Sequence, residues 1–326
     1  MPPFVLIGLA AGLASAALFA AATAGGLFGR VFLYFLAPLP MFLAGLGWGA
    51  IAAAIGGIAG SLATTLILGA RPGLVMLVSQ GLPVAMLCHL ALLNRSVPSI
   101  AGPQSTGLGL EWYPIGRLVA GAALAAGLLA FFTLMLLGTD LEAMRALLRE
   151  LIEKVLLKQF PAFKDRTLGE PEIKALTEVA LYTFPAASAL SWLGGLLFNL
   201  YLAGRITQAS GRLRRPWPDL AAMSFPRGFG LAFATALALA ALLSGYPALL
   251  ASGFAGAFFF AYLLMGLAIV HFVTRGTASR PFILWGVYVA LLILNTWAAL
   301  LLAVLAAVEP LVPWRRKRPP GPPPPA

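Results

Sequence analysis

Apolar runs dominate the chain, and they are separated by short polar stretches. Nine of these runs approach the roughly 20 residues that cross a bilayer as a helix, at 5–25, 29–47, 49–69, 73–93, 115–138, 177–204, 228–248, 251–273 and 282–308. No segment alternates apolar and polar residues in the way that a membrane β-strand does. The pattern therefore predicts an all-α, polytopic transmembrane helix bundle of eight or nine spans.

The second run contains two prolines, Pro38 and Pro40. Proline has no backbone N–H, so we expect this segment to be kinked, broken or re-entrant. Some transporters use such a break as a binding site. A tolerated kink is the alternative, because membrane helices often contain proline.

One hydrophilic segment, residues 139–176, interrupts the apolar pattern. Its apolar residues Leu141, Met144 and Leu148 share one helical face, and charged residues occupy the other positions. This pattern predicts an amphipathic helix that lies along the interface or caps the bundle. Gly169-Glu170-Pro171 then reads as the start of the next helix.

Composition supports a membrane protein, since 60% of the 326 residues are hydrophobic and only 10% are charged. We predict a single transmembrane domain over residues 1–308, followed by a disordered, basic and proline-rich tail at 309–326. The net charge of +11 comes from residues that flank the apolar runs. Such a distribution favours contact with anionic lipid and excludes a nucleic-acid-binding face.

The basic loops do not settle the number of spans. With nine spans, the loops that contain Arg95, Arg212 and Arg275 all lie on one side, which the positive-inside rule makes cytoplasmic. The cluster at residues 315–318 would then face outward, against the same rule. With eight spans, the basic loop that contains Arg212 and the cluster at residues 315–318 would both lie on the cytoplasmic side. The sequence is compatible with either number of spans.

The sequence contains no recognisable catalytic motif. It has no glycine-rich phosphate loop, no HExxH motif and no pair of carboxylates within a span. His89 and His271 lack a third metal ligand at a recognisable spacing. We therefore expect a protein that is not an enzyme, with no catalytic residues, no metal site and no cofactor.

Polar residues inside the spans are the candidates for ligand binding. Ser188, Trp192 and Asn199 fall on one face of the 177–204 span, and Tyr288 and Asn295 share a face of the last span. Gln80 adds an amide close to Pro83. The candidate ligand-binding residues are therefore Gln80, Ser188, Trp192, Asn199, Tyr288 and Asn295. The alternative is that the amides only join helices, as buried amides in membrane proteins commonly do.

Two further features indicate contacts. Small residues recur every four positions in the first and third spans, which favours close packing between helices of this chain. The basic segment that contains Arg212, Arg214 and Arg215 is expected to contact lipid headgroups or to dock a cytoplasmic partner.

Four short segments carry a family resemblance: APLP at 37–40, FNLYLAGRI at 198–206, RRPWPDLAAMSFP at 214–226 and GLAIVHFVTRG at 266–276. Together they resemble the YybS-like family of predicted bacterial inner-membrane proteins, whose fold is grouped with the S components of energy-coupling-factor transporters.

The resemblance implies a multi-pass protein of the bacterial cytoplasmic (inner) membrane. It also implies a ligand-binding component that depends on coupling subunits for energy, and in S components a small-residue motif on the first helix docks such a subunit. Ala10 and Ala14 fit that motif here, whereas the extra spans and the 139–176 segment depart from the six-span plan. The ligand is unknown. The alternative function is a non-catalytic membrane scaffold that recruits partners or anionic lipid through its basic loops.

Overall fold

A computed structural model describes residues 2–24, 26–98, 108–137, 140–156, 169–312 and 314–315. Helices predominate in these ranges. Their bounds are α1 Pro3–Ala24, α2 Leu27–Leu36, α3 Leu39–Trp48, α4 Ala50–Leu68, α5 Ala70–Met76, α6 Leu82–Leu92, α7 Ile115–Leu137, α8 Leu141–Leu151, α9 Glu170–Ala209, α10 Phe229–Leu242, α11 Gly245–Val273, α12 Arg280–Ile293 and α13 Thr296–Val308. The predicted all-α membrane fold is confirmed.

The chain forms two compact units. The first comprises Met1–Ala122 and Gly194–Phe225, and the second comprises Ala123–Leu193 and Pro226–Pro319. The boundaries fall inside α7 and α9. Each unit is described separately below.

Helices α1 and α4 pack through their small residues in the first unit. A side-chain carbon placed on Gly12 would overlap the carbonyl oxygen of Gly56, and one placed on Gly8 would lie 2.6 Å from the carbonyl oxygen of Ala52. Such contact requires glycine, because any larger residue would separate the two backbones. The small-residue ladders therefore pack within the chain, as predicted. Ala10 and Ala14 lie on the opposite, exposed face of α1.

The second predicted span is interrupted, as its prolines suggested. Helix α2 ends at Leu36 and α3 begins at Leu39, with a turn at Ala37 and Pro38. The fourth predicted span also departs from regular geometry, because a π-helical turn at Leu77–Gly81 joins α5 to α6. Single π-turns inside helices often accompany functional sites.

A small hairpin that the apolar pattern did not predict follows α6. Strand β1, Asn94–Pro98, pairs antiparallel with β2, Leu108–Trp112. An ion pair between Arg95 and Glu111, with an N–O distance of 2.6 Å, connects the two strands. The two strands are too short to give the long run of alternating residues that identifies a strand in a sequence.

The amphipathic helix α8 packs on the second unit. Met144 and Leu148 are buried against Leu181 of α9 and Leu249 of α11. Arg145 pairs with Glu178 and Arg149 pairs with Glu170, each at 2.6 Å, which connects α8 to the start of α9. These contacts match the predicted cap on the bundle. Lys154 also pairs with Glu150, at 2.6 Å.

Seven predicted spans correspond to helical segments long and apolar enough to cross a membrane. The remaining apolar helices are shorter, namely α10, α12 and α13, with 14, 14 and 13 residues. A 14-residue helix rises only about 21 Å, compared with a hydrocarbon core of about 30 Å. The count of eight or nine spans therefore stays a prediction for these three segments.

The predicted continuous span 282–308 is wrong. It is divided at Asn295, whose φ of 38° is incompatible with a regular α-helix. The 29-residue helix α11 also begins at Gly245, six residues before the predicted 251–273 span. Pro247 marks that start, since proline is tolerated in the first turn of a helix.

The start of the predicted disordered tail is structured. Arg315 donates two hydrogen bonds to Glu309, one of them at 2.6 Å, and both side chains are largely buried. A bidentate arginine–carboxylate pair fixes the relative position of its two partners. Residues 316–326 lie outside the described part of the chain.

The packing of α1 on α4 gives a direct test. We expect Gly12→Leu to lower the free energy of unfolding by about 1–3 kcal/mol, because the new side chain would overlap the Gly56 backbone. Ala14→Leu is the matched control on the exposed face, with an expected change within about 0.5 kcal/mol. Thermal unfolding of both variants in detergent measures the difference. Equal losses in the two variants would contradict this packing.

Candidate functional site

The prolines in the second span leave backbone carbonyls without their usual helical partners. In a regular helix the carbonyl of residue i accepts from the N–H of residue i+4. Pro38 therefore cannot donate a hydrogen bond to the carbonyl of Tyr34, and Pro40 cannot donate one to the carbonyl of Leu36. A carbonyl at membrane depth needs a substitute donor, because no bulk water is present there.

Two buried amide side chains donate to carbonyls at this break, and Gln80 replaces the donor that Pro38 lacks. Gln80 Nε2 donates to the Tyr34 carbonyl at 3.4 Å, and Asn199 Nδ2 donates to the Phe35 carbonyl at 2.5 Å. Asn199 Nδ2 also donates to the Gly195 carbonyl one turn earlier in α9, at 2.7 Å. Gln80 is only 2% exposed and Asn199 is completely buried. The two predicted amides thus converge on adjacent carbonyls at the end of α2.

Glycines allow both amides to approach the break. A side-chain carbon on Gly195 would overlap the ring of Phe35, so only glycine lets α2 lie this close to Asn199. Gly81 packs on Gly57 of α4, where an added carbon would meet the Gly57 backbone at 3.1 Å. This contact fixes the π-helical turn that carries Gln80. Gly195 and Gly81 thus allow Asn199 and Gln80 to reach the break.

The acceptor ends of the same amides have no partner among the described residues. Gln80 Oε1 and Asn199 Oδ1 are buried and make no hydrogen bond there, and the same is true of Ser15 Oγ on α1. Leaving a buried acceptor unpaired costs about 1–3 kcal/mol. We define the Pro38 site as Ser15, Gln80, Asn199 and the carbonyls of Tyr34 and Phe35. All of these residues belong to the first unit.

The other predicted site residues have different surroundings. Ser188 and Trp192 belong to the second unit and are part-buried. Tyr288 is 50% exposed, and its hydroxyl lies 2.9 Å from His271 Nε2. Asn295 is exposed at the break between α12 and α13. The prediction that Tyr288 and Asn295 share one helical face is wrong, because the break at Asn295 ends that face, and their role in ligand binding stays a prediction.

The basic segment after α9 contacts the first unit through its arginines. Arg214 donates to the Trp48 carbonyl at 3.0 Å, and Arg215 donates to the Ala91 carbonyl at 2.8 Å. Arg212 lies over the ring of Trp48, with its guanidinium carbon 5.3 Å from the ring centre. Burial lowers the pKa of the Arg215 guanidinium. Two of the three predicted docking arginines thus hold this loop to the ends of α3 and α6.

The second unit contains an apolar groove of about 600 Å³ along α10 and α11. Leucine, alanine and phenylalanine provide most of its lining, and Thr235 contributes the one hydroxyl. Such a surface offers little to recognise a polar ligand. Within the described ranges, no group of three or more histidine, cysteine or acidic side chains is arranged to hold a metal ion.

Comparison with known families agrees with the helical architecture. A family model described as "Predicted membrane protein (DUF2232)" matches residues 13–308. The chain belongs to this family. No curated protein and no solved structure matches the chain. Membership in DUF2232 therefore supports an integral membrane protein.

Sequence patterns identified Asn199 and Gln80 but missed their partners and Ser15. The partner of Gln80 was open to prediction, since Tyr34 stands four residues before Pro38. Ser15 is a polar residue in the middle of an apolar span, which is also a readable signal. The π-helical turn has no comparable signal, because its residues fit an ordinary helix equally well.

Asn199 allows a test of the structural half of this site. We expect Asn199→Ala to lower the free energy of unfolding by about 1 kcal/mol. The variant loses one hydrogen bond to α2 and one within α9, each taken as about 0.6 kcal/mol. Asn295→Gly is the control, because it removes an exposed amide at a position whose positive φ suits glycine. Unfolding by denaturing detergent measures both variants. A loss for Asn295→Gly equal to that for Asn199→Ala would contradict the assignment.

Proposed function

We propose that this DUF2232 protein is a transporter-type membrane protein that binds a small ligand at the Pro38 site. One observation carries the proposal: two amides at a proline-interrupted helix are buried, yet their acceptor oxygens have no partner among the described residues. A purely structural amide pair would gain from having both ends bonded. A ligand that offers donors or positive charge would satisfy the remaining oxygens.

The position of the site within the membrane helices supports the same function. Irregular backbone at membrane depth is tolerated where it is buried in protein or lines a cavity, and transporters place binding sites at such interruptions. The segment from Gly29 to Trp48 is long and apolar enough to cross the membrane as a whole, and the break falls near its middle. The Pro38 site therefore has the location expected of a transport site.

The source of energy is part of the proposal. The sequence has no phosphate-binding loop for ATP hydrolysis and no carboxylate pair in its spans. We therefore propose that partner subunits supply energy, as in the S components that the sequence resembles. Ala10 and Ala14 lie on an exposed face of α1, where such a subunit has access. The YybS-like resemblance supports a bacterial inner membrane as the proposed location.

We prefer this function to a membrane scaffold for a specific reason. The scaffold hypothesis requires Arg212, Arg214 and Arg215 to recruit a partner. Arg214 and Arg215 already donate to backbone carbonyls of the first unit. Their use within the protein accounts for the basic segment without a recruited partner.

A thermal-shift screen tests the proposal. Purified full-length protein is screened against vitamins, nucleosides, amines and simple salts, and we expect at least one compound to raise the unfolding temperature in a saturable way. Gln80→Met should reduce that shift by at least about half, because it removes one acceptor of the site. Ser61→Ala is the matched control, since Ser61 is buried in the same unit and its hydroxyl is satisfied by the Gly57 carbonyl.

Two outcomes would count against the proposal. One is the absence of any stabilising compound in the whole screen. The other is a shift that Gln80→Met and Ser61→Ala both leave unchanged, which would place binding away from the Pro38 site.

A further inference from the structure

The Pro38 site contains more hydrogen-bond acceptors than donors. Pro38 and Pro40 each lack the N–H that a helical residue would contribute, so the start of α3 is short of two donors. The carbonyls of α2 remain, and they point toward the C-terminal end of that helix. Carbonyls at a helix C-terminus create a negative potential. The backbone at the break therefore favours positive charge.

The two amides extend this negative potential. Each uses its NH₂ group to donate to a carbonyl at the end of α2, at 3.4 Å for Gln80 and 2.5 Å for Asn199. An amide that donates in this way has a more polarised oxygen at its other end, because hydrogen bonds in a chain reinforce one another. Gln80 Oε1 and Asn199 Oδ1 are those oxygens, and both are buried without a partner in the described structure.

Ser15 lies at the same level of the first unit. One turn after Ser15, the ring of Phe19 lies 5.8 Å from the ring of Tyr34. One turn before Ser15, Gly12 packs on Gly56, which in turn contacts Met41 of α3. These contacts place Ser15 between the levels of Tyr34 and Met41, which stand four residues before and three residues after Pro38. The Ser15 hydroxyl is buried at this level without a partner in the described structure, which makes it the candidate for a third neutral oxygen ligand.

The oxygens of the site are neutral, and this limits the kind of ion they suit. The first unit contains just two carboxylates, Glu111 and Asp219. Glu111 pairs with Arg95 in the hairpin, and Asp219 accepts from the Ala221 N–H at 3.1 Å. Calcium and magnesium sites generally include carboxylates, and transition-metal sites use histidine or cysteine. Neutral carbonyl-type oxygens instead suit a monovalent ion.

We propose that the Pro38 site binds one monovalent alkali cation, sodium or potassium, through Gln80 Oε1, Asn199 Oδ1 and Ser15 Oγ. This inference rests on the proposed function and names the ligand class of the same site. The cation neutralises the acceptor excess that the prolines create. It also connects α1, the π-helical turn and α9 at one point.

Ion-dependent stability tests this inference. Full-length protein in detergent is exchanged into choline chloride, and its unfolding temperature is measured while sodium, potassium or lithium chloride replaces choline at constant ionic strength. We expect one alkali ion to raise the unfolding temperature by about 3 °C or more at saturation. Equilibrium binding of radiolabelled sodium or rubidium should then give about one ion per chain, as a single-site cation model requires.

Variants locate the ion. Gln80→Met and Ser15→Ala should reduce the ion-dependent shift by at least about half, since each removes one of three oxygen ligands. Gln80→Glu should keep or increase the shift, because a carboxylate adds charge beside the cation. Ser61→Ala should leave it unchanged. Circular dichroism and gel filtration confirm that each variant is folded before it is compared.

Several results would overturn the inference. If choline and the alkali ions give the same unfolding temperature, the oxygens are satisfied by water alone. If the shift persists in both Gln80→Met and Ser15→Ala, the ion binds elsewhere. If an organic compound stabilises the protein through Gln80 while no alkali ion does, the cation is excluded and the proposed ligand-binding function still stands.

Discussion

The absence of an N–H on Pro38 is the constraint on which the candidate site depends. In a soluble protein, water would replace the missing donor at little cost. At membrane depth the carbonyls at the end of α2 need partners from the protein itself. Gln80 and Asn199 provide them from two other segments, the π-helical turn and α9. The missing donor of Pro38 thus accounts for the burial of Gln80, and Asn199 donates to the neighbouring carbonyl at the same break.

The same side chains serve structure and ligand binding, and this affects how variants behave. An amide has a donor end and an acceptor end, and here the donor ends bond to the protein. The acceptor ends have no partner in the described structure. Truncating either residue removes both functions at once. Gln80→Glu is therefore more informative than an alanine substitution, because it keeps the acceptor oxygen and removes the NH₂ donor.

Much of the fold could be predicted from the sequence, because long apolar helices follow from the need to satisfy the backbone in lipid. The sequence also allowed three finer predictions: the break at Pro38, the small-residue contact between α1 and α4, and the burial of Asn199. The break at Asn295 could not be predicted, since asparagine has no fixed backbone angle and apolar runs flank Asn295 and Thr296 on both sides. The convergence of Gln80 and Asn199 on the end of α2 could not be predicted either. It joins residues that are far apart in the chain, and sequence periodicity reports only which residues share one helix.

A double-mutant cycle between Pro38 and Gln80 tests the central claim most directly. Pro38→Ala restores the N–H that can bond to the Tyr34 carbonyl, so Gln80 loses its structural role in that background. The account predicts that Gln80→Met costs about 0.6 kcal/mol of unfolding free energy in the wild type and close to zero in Pro38→Ala. Equal costs in the two backgrounds would contradict it.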